Sequence, residues 1–163
     1  MAKGQIFSND FLLAVIIFML ILTTIQATQM KMFEKIDNDR EKIYYESLLS
    51  RTDTLILYEG YPEFWSPSDV EVLGFAQEPS ILNVTKIKYF VSMDYDKLKE
   101  LLGVRGREFY VEFTDSEGNV ISDGGIVFKK GRDDWEGAEE ITVVRRGVIL
   151  NGREAVMKVV TWK

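Results

Sequence analysis

The sequence predicts an α+β protein: a long N-terminal membrane and stalk helix, followed by a strand-rich globular head with short helices. Three observations carry that prediction. Residues 11–22, FLLAVIIFMLIL, are twelve apolar residues without a break. Residues 27–50 contain no Gly or Pro and are rich in Lys, Glu, Arg and Met, the composition of a helix that continues. Near the other end, Asn151-Gly152 joins two β-rich runs, the strongest two-residue hairpin signal a sequence offers.

The apolar segment comes first. From Phe11 to Ile25 there are eleven Leu, Ile, Val or Phe residues. On the insertion scale they favour a bilayer by about 3–7 kcal/mol before the polar ends are counted. Phe11 to Thr28 just reaches the roughly 17 residues at the low end of a membrane span. Three roles fit such a segment: a cleaved export signal, a permanent anchor, or a helix that packs into a filament. A secretory signal places a small-residue cleavage site after its apolar centre. Here Ile25 occupies the outer small position ahead of Ala27, so that site is poor.

Past the membrane, Phe33, Ile36, Ile43 and Leu48 fall near one helical face, with Arg40 interrupting the stripe. Either this is an amphipathic helix resting on its own domain, or a stalk that meets neighbouring subunits. Leu55 to Tyr58 reads as a buried strand closed by Glu59-Gly60. Tyr61 to Pro67 carries two prolines and reads as a loop. Val70 to Phe75 reads as a second strand. A helix is expected from Val84 to Val91, and another from Tyr95 to Leu102 with Asp94 as N-cap and Gly103 as stop. Phe109 to Phe113 alternates as a strand, residues 115–119 turn, and Val120 to Phe128 returns as a strand. Residues 129–140 read as a charged loop. Ile141 to Leu150 and Ala155 to Trp162 form the closing hairpin.

Composition excludes several chemistries. Setting aside Lys3 and Asp10, the rest of the chain keeps 19 basic and 25 acidic residues, net −6. That balance opposes nucleic-acid binding, which rests on neutralising phosphates, and docking on anionic lipid. There is no Cys and no His. Disulfides, thiol nucleophiles and a Ser-His-Asp triad are therefore impossible, and the commonest metal ligand is missing. The expectation is a structural protein, not an enzyme, with no cofactor and no metal.

Four sites invite a closer look. Asp115-x-Glu117-x-Asn119 opens like a calcium loop, but the twelfth position, which needs a bidentate acid, is Ile126, so a hairpin turn is expected. Asp133, Asp134, Glu136, Glu139 and Glu140 form the densest acidic patch, read as a solvated face. Glu63 and Asp69 flank Trp65, which suits either a sugar platform or core packing by Tyr61, Phe64 and Trp65. Asn83-Val84-Thr85 is the N-glycosylation sequon of the chain.

The segment ahead of the apolar run carries a resemblance. Lys3-Gly4-Gln5, then Ile6 to Asp10, then the apolar stretch, resembles the class III signal peptides of archaeal type IV pilin-like proteins. The resemblance implies that a leader peptidase cuts between Gly4 and Gln5 and that the apolar stretch is kept as the packing helix. Many members have Glu as the fifth residue after the cut. Asn9 stands there, and Asp10, one place later, is the charge available for assembly.

A second resemblance covers most of the head. GYPEFW (60–65), residues 69–103 and the closing VVRRGVILNGREAVMKVVTW (143–162) resemble a module that recurs in archaeal proteins with this N-terminal arrangement. Its line-up is GxP, W, LG-A, P-L, K and LK-LLG. It implies a membrane-rooted, exported subunit, a minor pilin with an assembly or adhesion role.

The expected organisation is then a leader at 1–4, a transmembrane and stalk helix at 5–53, and an extracellular head at 54–163. Phe11, Leu12, Leu13, Ile16, Ile17, Leu20 and Ile21 form the membrane or filament surface. The expected partners are membrane lipid, like or related pilin subunits and the leader peptidase. Lys3 stays on the cytoplasmic side of a single-pass arrangement. A bitopic anchor that presents an extracellular binding domain, never polymerised, is the alternative.

Overall fold

Helix α1 runs from Asn9 to Leu57, 49 residues in all. No Gly or Pro interrupts it, so each residue adds a backbone bond to a helix already nucleated. The computed structural model describes residues 9–163; Gly4 and Gln5 lie outside the described residues. The chain divides into two units, Met1–Tyr44 and Tyr45–Lys163. In the first, the described residues are helical throughout.

The end of α1 belongs to the second unit and overturns one expectation. Leu55 to Tyr58 does not begin a strand. Residues 55–57 are the last turn of the helix, with Leu55 and Ile56 buried, and the amide of Tyr58 still reaches back to the Thr54 carbonyl at 3.1 Å. Four consecutive apolar residues fit a buried helix end as well as a strand. The nearest breaker is Gly60, whose φ of +86° turns the chain away. Of the stripe on α1, Leu48 is buried, whereas Phe33, Ile36 and Ile43 are exposed.

Val70 to Phe75 is not a strand either. Its amides are taken by loop and helix carbonyls: Val70 by Ser66, and Phe75 by Leu55 at 2.7 Å. Val72 makes a single bridge to Tyr61. The first strands are β1 (Ala76–Glu78) and β2 (Ile81–Leu82). Helix α2 (Val84–Ser92) follows, then α3 (Tyr95–Leu101). Asp94 caps α3 as expected, its Oδ1 accepting from the amides of Asp96 and Lys97 at 3.0 and 3.1 Å.

Strand β3 (Glu108–Thr114) leads into the 115–119 turn. The expected return strand over 120–128 breaks in two. Gly124 and Gly125, at φ +60° and +81°, turn β4 (Ser122–Asp123) onto β5 (Ile126–Val127) as a separate two-stranded sheet. The supposed loop at 129 opens with β6 (Lys129–Gly131), paired to β3. Strands β7 (Ile141–Leu150) and β8 (Arg153–Trp162) pair along their whole length. Asn151 and Gly152 both have positive φ, as a two-residue hairpin turn requires.

The main sheet has six strands in the order β1-β2-β7-β8-β3-β6. The β2–β7 pair is parallel, whereas the other pairs are antiparallel. One face carries Phe109, Val111 and Phe113 from β3, Met157 and Val159 from β8, and Val144 from β7. An edge-to-face series of rings, Phe90–Phe75–Phe113–Phe128, crosses this core with centroid spacings of 5.2, 6.0 and 6.5 Å.

The other face is covered in part. Trp135 and Ala138, from the segment after β6, pack over Tyr110, Val160 and Trp162. That second cover explains why Val159 to Trp162 are all buried, where a sheet covered on one side would alternate. The α+β architecture of long helix followed by strand-rich head is as the sequence indicates.

Candidate functional site

The most distinctive functional element is the apolar part of α1. Its most apolar 18-residue window has a mean hydropathy of 2.4, and the helix is long and apolar enough, by length and composition, to cross a membrane once. Phe11, Leu12, Leu13, Ile16, Ile17, Leu20 and Ile21 are between 48% and 62% exposed. They occupy every side of the helix, so no polar face exists for water.

Two threonines inside this stretch would oppose burial in hydrocarbon if their hydroxyls were unbonded. Neither is. Thr23 Oγ1 donates to the carbonyls of Met19 and Leu20 at 2.9 and 3.0 Å, and Thr24 Oγ1 to Leu20 at 2.7 Å. Thr28 repeats the bond to Thr24 at 2.8 Å. Back-bonding one turn earlier is how hydroxyls are satisfied where no water is present. The compatible stretch therefore extends through Ile25. Asp10 stands in the first turn of α1, where a negative charge suits the helix dipole.

In the head, the GxP, W, LG-A and K positions converge on one backbone node. Trp65 is 1% exposed, and its indole N–H lies between two carbonyls, Glu59 at 3.1 Å and Gly74 at 3.0 Å. Gly60 and Gly74 pack backbone to backbone: a Cβ on Gly74 would sit 2.3 Å from the Gly60 nitrogen. Lys86, buried on α2, donates from Nζ to the Glu59 carbonyl at 2.7 Å. Burial pushes its pKa down, and the charges of Glu59 and Glu63 oppose that. Ala76 is buried beside them, its amide on the Tyr58 carbonyl. The node locks the end of α1 to the loop and α2. Its chemistry is structural: main-chain groups are satisfied, and no group is left to react.

The node corrects the reading of the Trp65 loop. Trp65 is core, but Tyr61 and Phe64 are 61% and 86% exposed. Asp69 faces Ser66, accepting from its amide at 2.6 Å and its hydroxyl at 2.7 Å, which holds its carboxyl below the usual range. It locks a turn, while Glu63 is exposed on the surface. Tyr58, Tyr61 and Glu63 instead line a shallow cleft of about 700 Å³ that alternation and spacing did not reveal.

The remaining candidates resolve as local structure. Asp115 Oδ1 accepts from the amides of Glu117 and Asn119, both at 2.9 Å, closing a hairpin turn. The same turn borders an open polar cleft of about 900 Å³ with Asn151, Arg153 and Glu154. Asn83 is the N-cap of α2: Oδ1 accepts from Thr85 N at 2.9 Å and Lys86 N at 3.4 Å, leaving Nδ2 uncommitted to that cap. Asp134 pairs with Arg132, and Glu140 with Arg107. Among the described residues no group of three or more acidic, His or Cys side chains gathers to hold a metal ion.

One half-buried polar cluster escaped sequence reasoning. Tyr95 stacks on Phe109 at 4.7 Å, and its hydroxyl donates to Glu108 Oε2 at 2.6 Å while accepting from the Phe109 amide at 3.2 Å. Lys99 completes it at 2.9 Å from Glu108 Oε1. Burial and the Glu108 bond push the Tyr95 phenol up to about 12. The Tyr95 and Lys99 bonds hold Glu108 below the usual carboxyl range. The cluster ties α3 to β3. Tyr95 and Lys99 share one face of α3, but Glu108 stands on β3, so no spacing within a single element announces the cluster.

Comparison with family models, with curated proteins and with solved structures gives no match.

Proposed function

We propose that this chain is a pilin-like structural subunit of an archaeal cell-surface type IV filament, a minor pilin with an assembly or adhesion role. The observation that carries the reading is a helix apolar on every side whose apolar run is separated from Lys3-Gly4-Gln5 by five residues. Such a helix is at ease in lipid or in a bundle of its own kind. Phe11 to Ile25 first holds the subunit in the cytoplasmic membrane, with the head outside the cell. After a leader peptidase cuts between Gly4 and Gln5, the same surface packs against neighbouring subunits. Asp10 then supplies the charge that pairs with a neighbour's new amine.

The alternative, a bitopic accessory protein with an extracellular binding domain, draws support from Asn9 standing where many pilin-like chains carry Glu. The mass of the native N-terminus separates the two. A mature chain beginning at Gln5 supports the filament subunit; one that retains Met1 or Ala2 supports the fixed anchor. Gly4→Asp should leave the precursor uncut. A variant trimmed like the wild type would sink the leader assignment.

A further inference from the structure

The main sheet ends formally at β1 and β6, but a third edge lies inside that order. Strand β2 covers only Ile149 and Leu150 of β7, so residues 141–148 have β8 on one side and no strand on the other. The amide of Ile149 points to the β2 side, where it meets the Ser80 carbonyl at 2.8 Å. By strand alternation, Ile141, Val143, Arg145 and Gly147 direct their amides and carbonyls the same way. Among the described residues their amides have no backbone partner, and the Arg145 carbonyl takes a side-chain bond from Arg146 at 3.3 Å.

The other two edges are guarded in the manner expected of natural sheets. Strand β6 is three residues long and carries Lys129 and Lys130. Strand β1 is three residues long, and its register shifts between Ala76 and Glu78. On β7 there is no Pro and no break in register, and Ile141, Val143 and Ile149 are 47%, 38% and 39% exposed. The open stretch is longer and more regular than the other two edges, and Arg145 and Arg146 are the charges it carries.

The geometry points to a second copy of this chain as the occupant, with β7 pairing antiparallel to β7 across a two-fold axis at Val144. Charge bears on the choice of edge. Pairing β7 with the β6 edge of another copy brings Lys129 and Lys130 alongside a strand that carries Arg145 and Arg146, and in registers that oppose them like charges repel. In the two-fold register Val143 lies opposite Arg145 of the other copy, and Ile141 opposite Gly147. No like charges meet directly, and a Cβ at Gly147 would touch nothing within 4 Å, which leaves room for Ile141. Four paired positions exchange about eight interchain hydrogen bonds. The same surface on both copies closes the assembly at two. Anchoring both copies in one membrane raises their effective concentration, so a small interface suffices. The inference takes membrane anchoring from the proposed function and does not need a filament.

The chain contains no Cys, so introduced thiols report a single register. Full-length Val143→Cys and Arg145→Cys chains are reconstituted together and separately in lipid vesicles and oxidised. The mixture should give about fivefold more disulfide-linked dimer than either variant alone, since facing residues fall within disulfide reach. Equal yields would overturn the pairing. Val143→Pro removes an outward-facing amide and leaves the β8 ladder intact; it should lower the dimer fraction about tenfold in the same vesicles. Should that variant fail to fold, Val143→Lys makes the same test. Dimers that persist in the folded variant are held by the apolar helix, and that result also refutes the β7 interface. An uncut N-terminus would count against the filament subunit without touching this result.

Discussion

Residues 11–25 and residues 45–163 are both rich in large apolar side chains, yet they resolve their exposure to water in opposite ways. In the head, Phe75, Phe109, Phe113 and Met157 reach 0% exposure against one another. Along the apolar helix every large side chain from Phe11 to Ile25 stays between 38% and 62% exposed. The first group has its solvent within the chain. The second stays exposed, with the length and composition to cross a membrane. Apolar content alone does not separate these cases; periodicity and interruption do. The head's apolar residues alternate or recur between turns and charges, which lets elements fold onto each other, whereas an unbroken run offers no polar side on which to fold.

The largest expected effect breaks the first region and spares the second. Ile16→Arg with Leu20→Arg adds about 5–7 kcal/mol at the centre of the span, enough to offset the whole apolar preference. The double variant should leave the membrane fraction on alkaline extraction, with the head still folded by circular dichroism. Retention in the membrane would mean that something other than Phe11 to Ile25 anchors the chain.

The reverse experiment attacks the node. Trp65→Ala should cost about 3–5 kcal/mol, and Gly74→Ala about 3 kcal/mol because its neighbours are backbone atoms that cannot yield. Melting of the full chain in detergent measures both, with membrane retention unchanged. A Gly74→Ala head as stable as the wild type would refute the close packing on Gly60.

A smaller effect separates two roles of one residue. Asn83→Ala should cost about 1 kcal/mol through loss of the α2 cap, while Asn83→Asp keeps the cap. Thr85→Ala removes the sequon and leaves the Asn83 cap in place. If the native chain carries a glycan there, its intact mass should fall by that glycan in all three variants. Equal melting of Asn83→Ala and Asn83→Asp would contradict the capping role.

The smallest effect depends on pH. Tyr95 has a folded pKa of about 12, above its ordinary value of 10.0, so its contribution is complete below pH 10 and is lost as pH rises through 12. Glu108 works at the acid end: its carboxyl is held below 4.5, so its share is present above that value and is lost as pH falls through the lowered one. Tyr95→Phe should lower stability by about 1 kcal/mol near neutrality and flatten the decline between pH 10 and 12. Urea midpoints across that range check it; an unchanged alkaline slope would place the Tyr95 hydroxyl in water.

Much of the head was legible where the signal was local. Asp94 and Gly103 bracket α3, residues 115–119 turn, and Asn151-Gly152 joins β7 to β8, because caps and tight turns are decided by neighbours in sequence. Leu55 to Tyr58 and Val70 to Phe75 misled because short apolar runs look alike in helix and strand, and the partners that decide between them are distant. The Trp65 loop shows the same limit at the site. Its residues stood out as a pattern, but the pattern could not tell which ring is buried between two carbonyls and which, like Phe64, faces water.

By itself the sequence determined that one stretch of this protein is a helix long and apolar enough to cross a membrane, since twelve adjoining apolar residues leave it no wetted side. It also determined the short-range punctuation of the head. Only the tertiary structure decided that Gly60, Gly74, Trp65 and Lys86 form one lock, that Glu108 meets Tyr95, and that β7 keeps an open edge. Those outcomes depend on which backbones approach one another across tens of residues, and that proximity arises when the core closes.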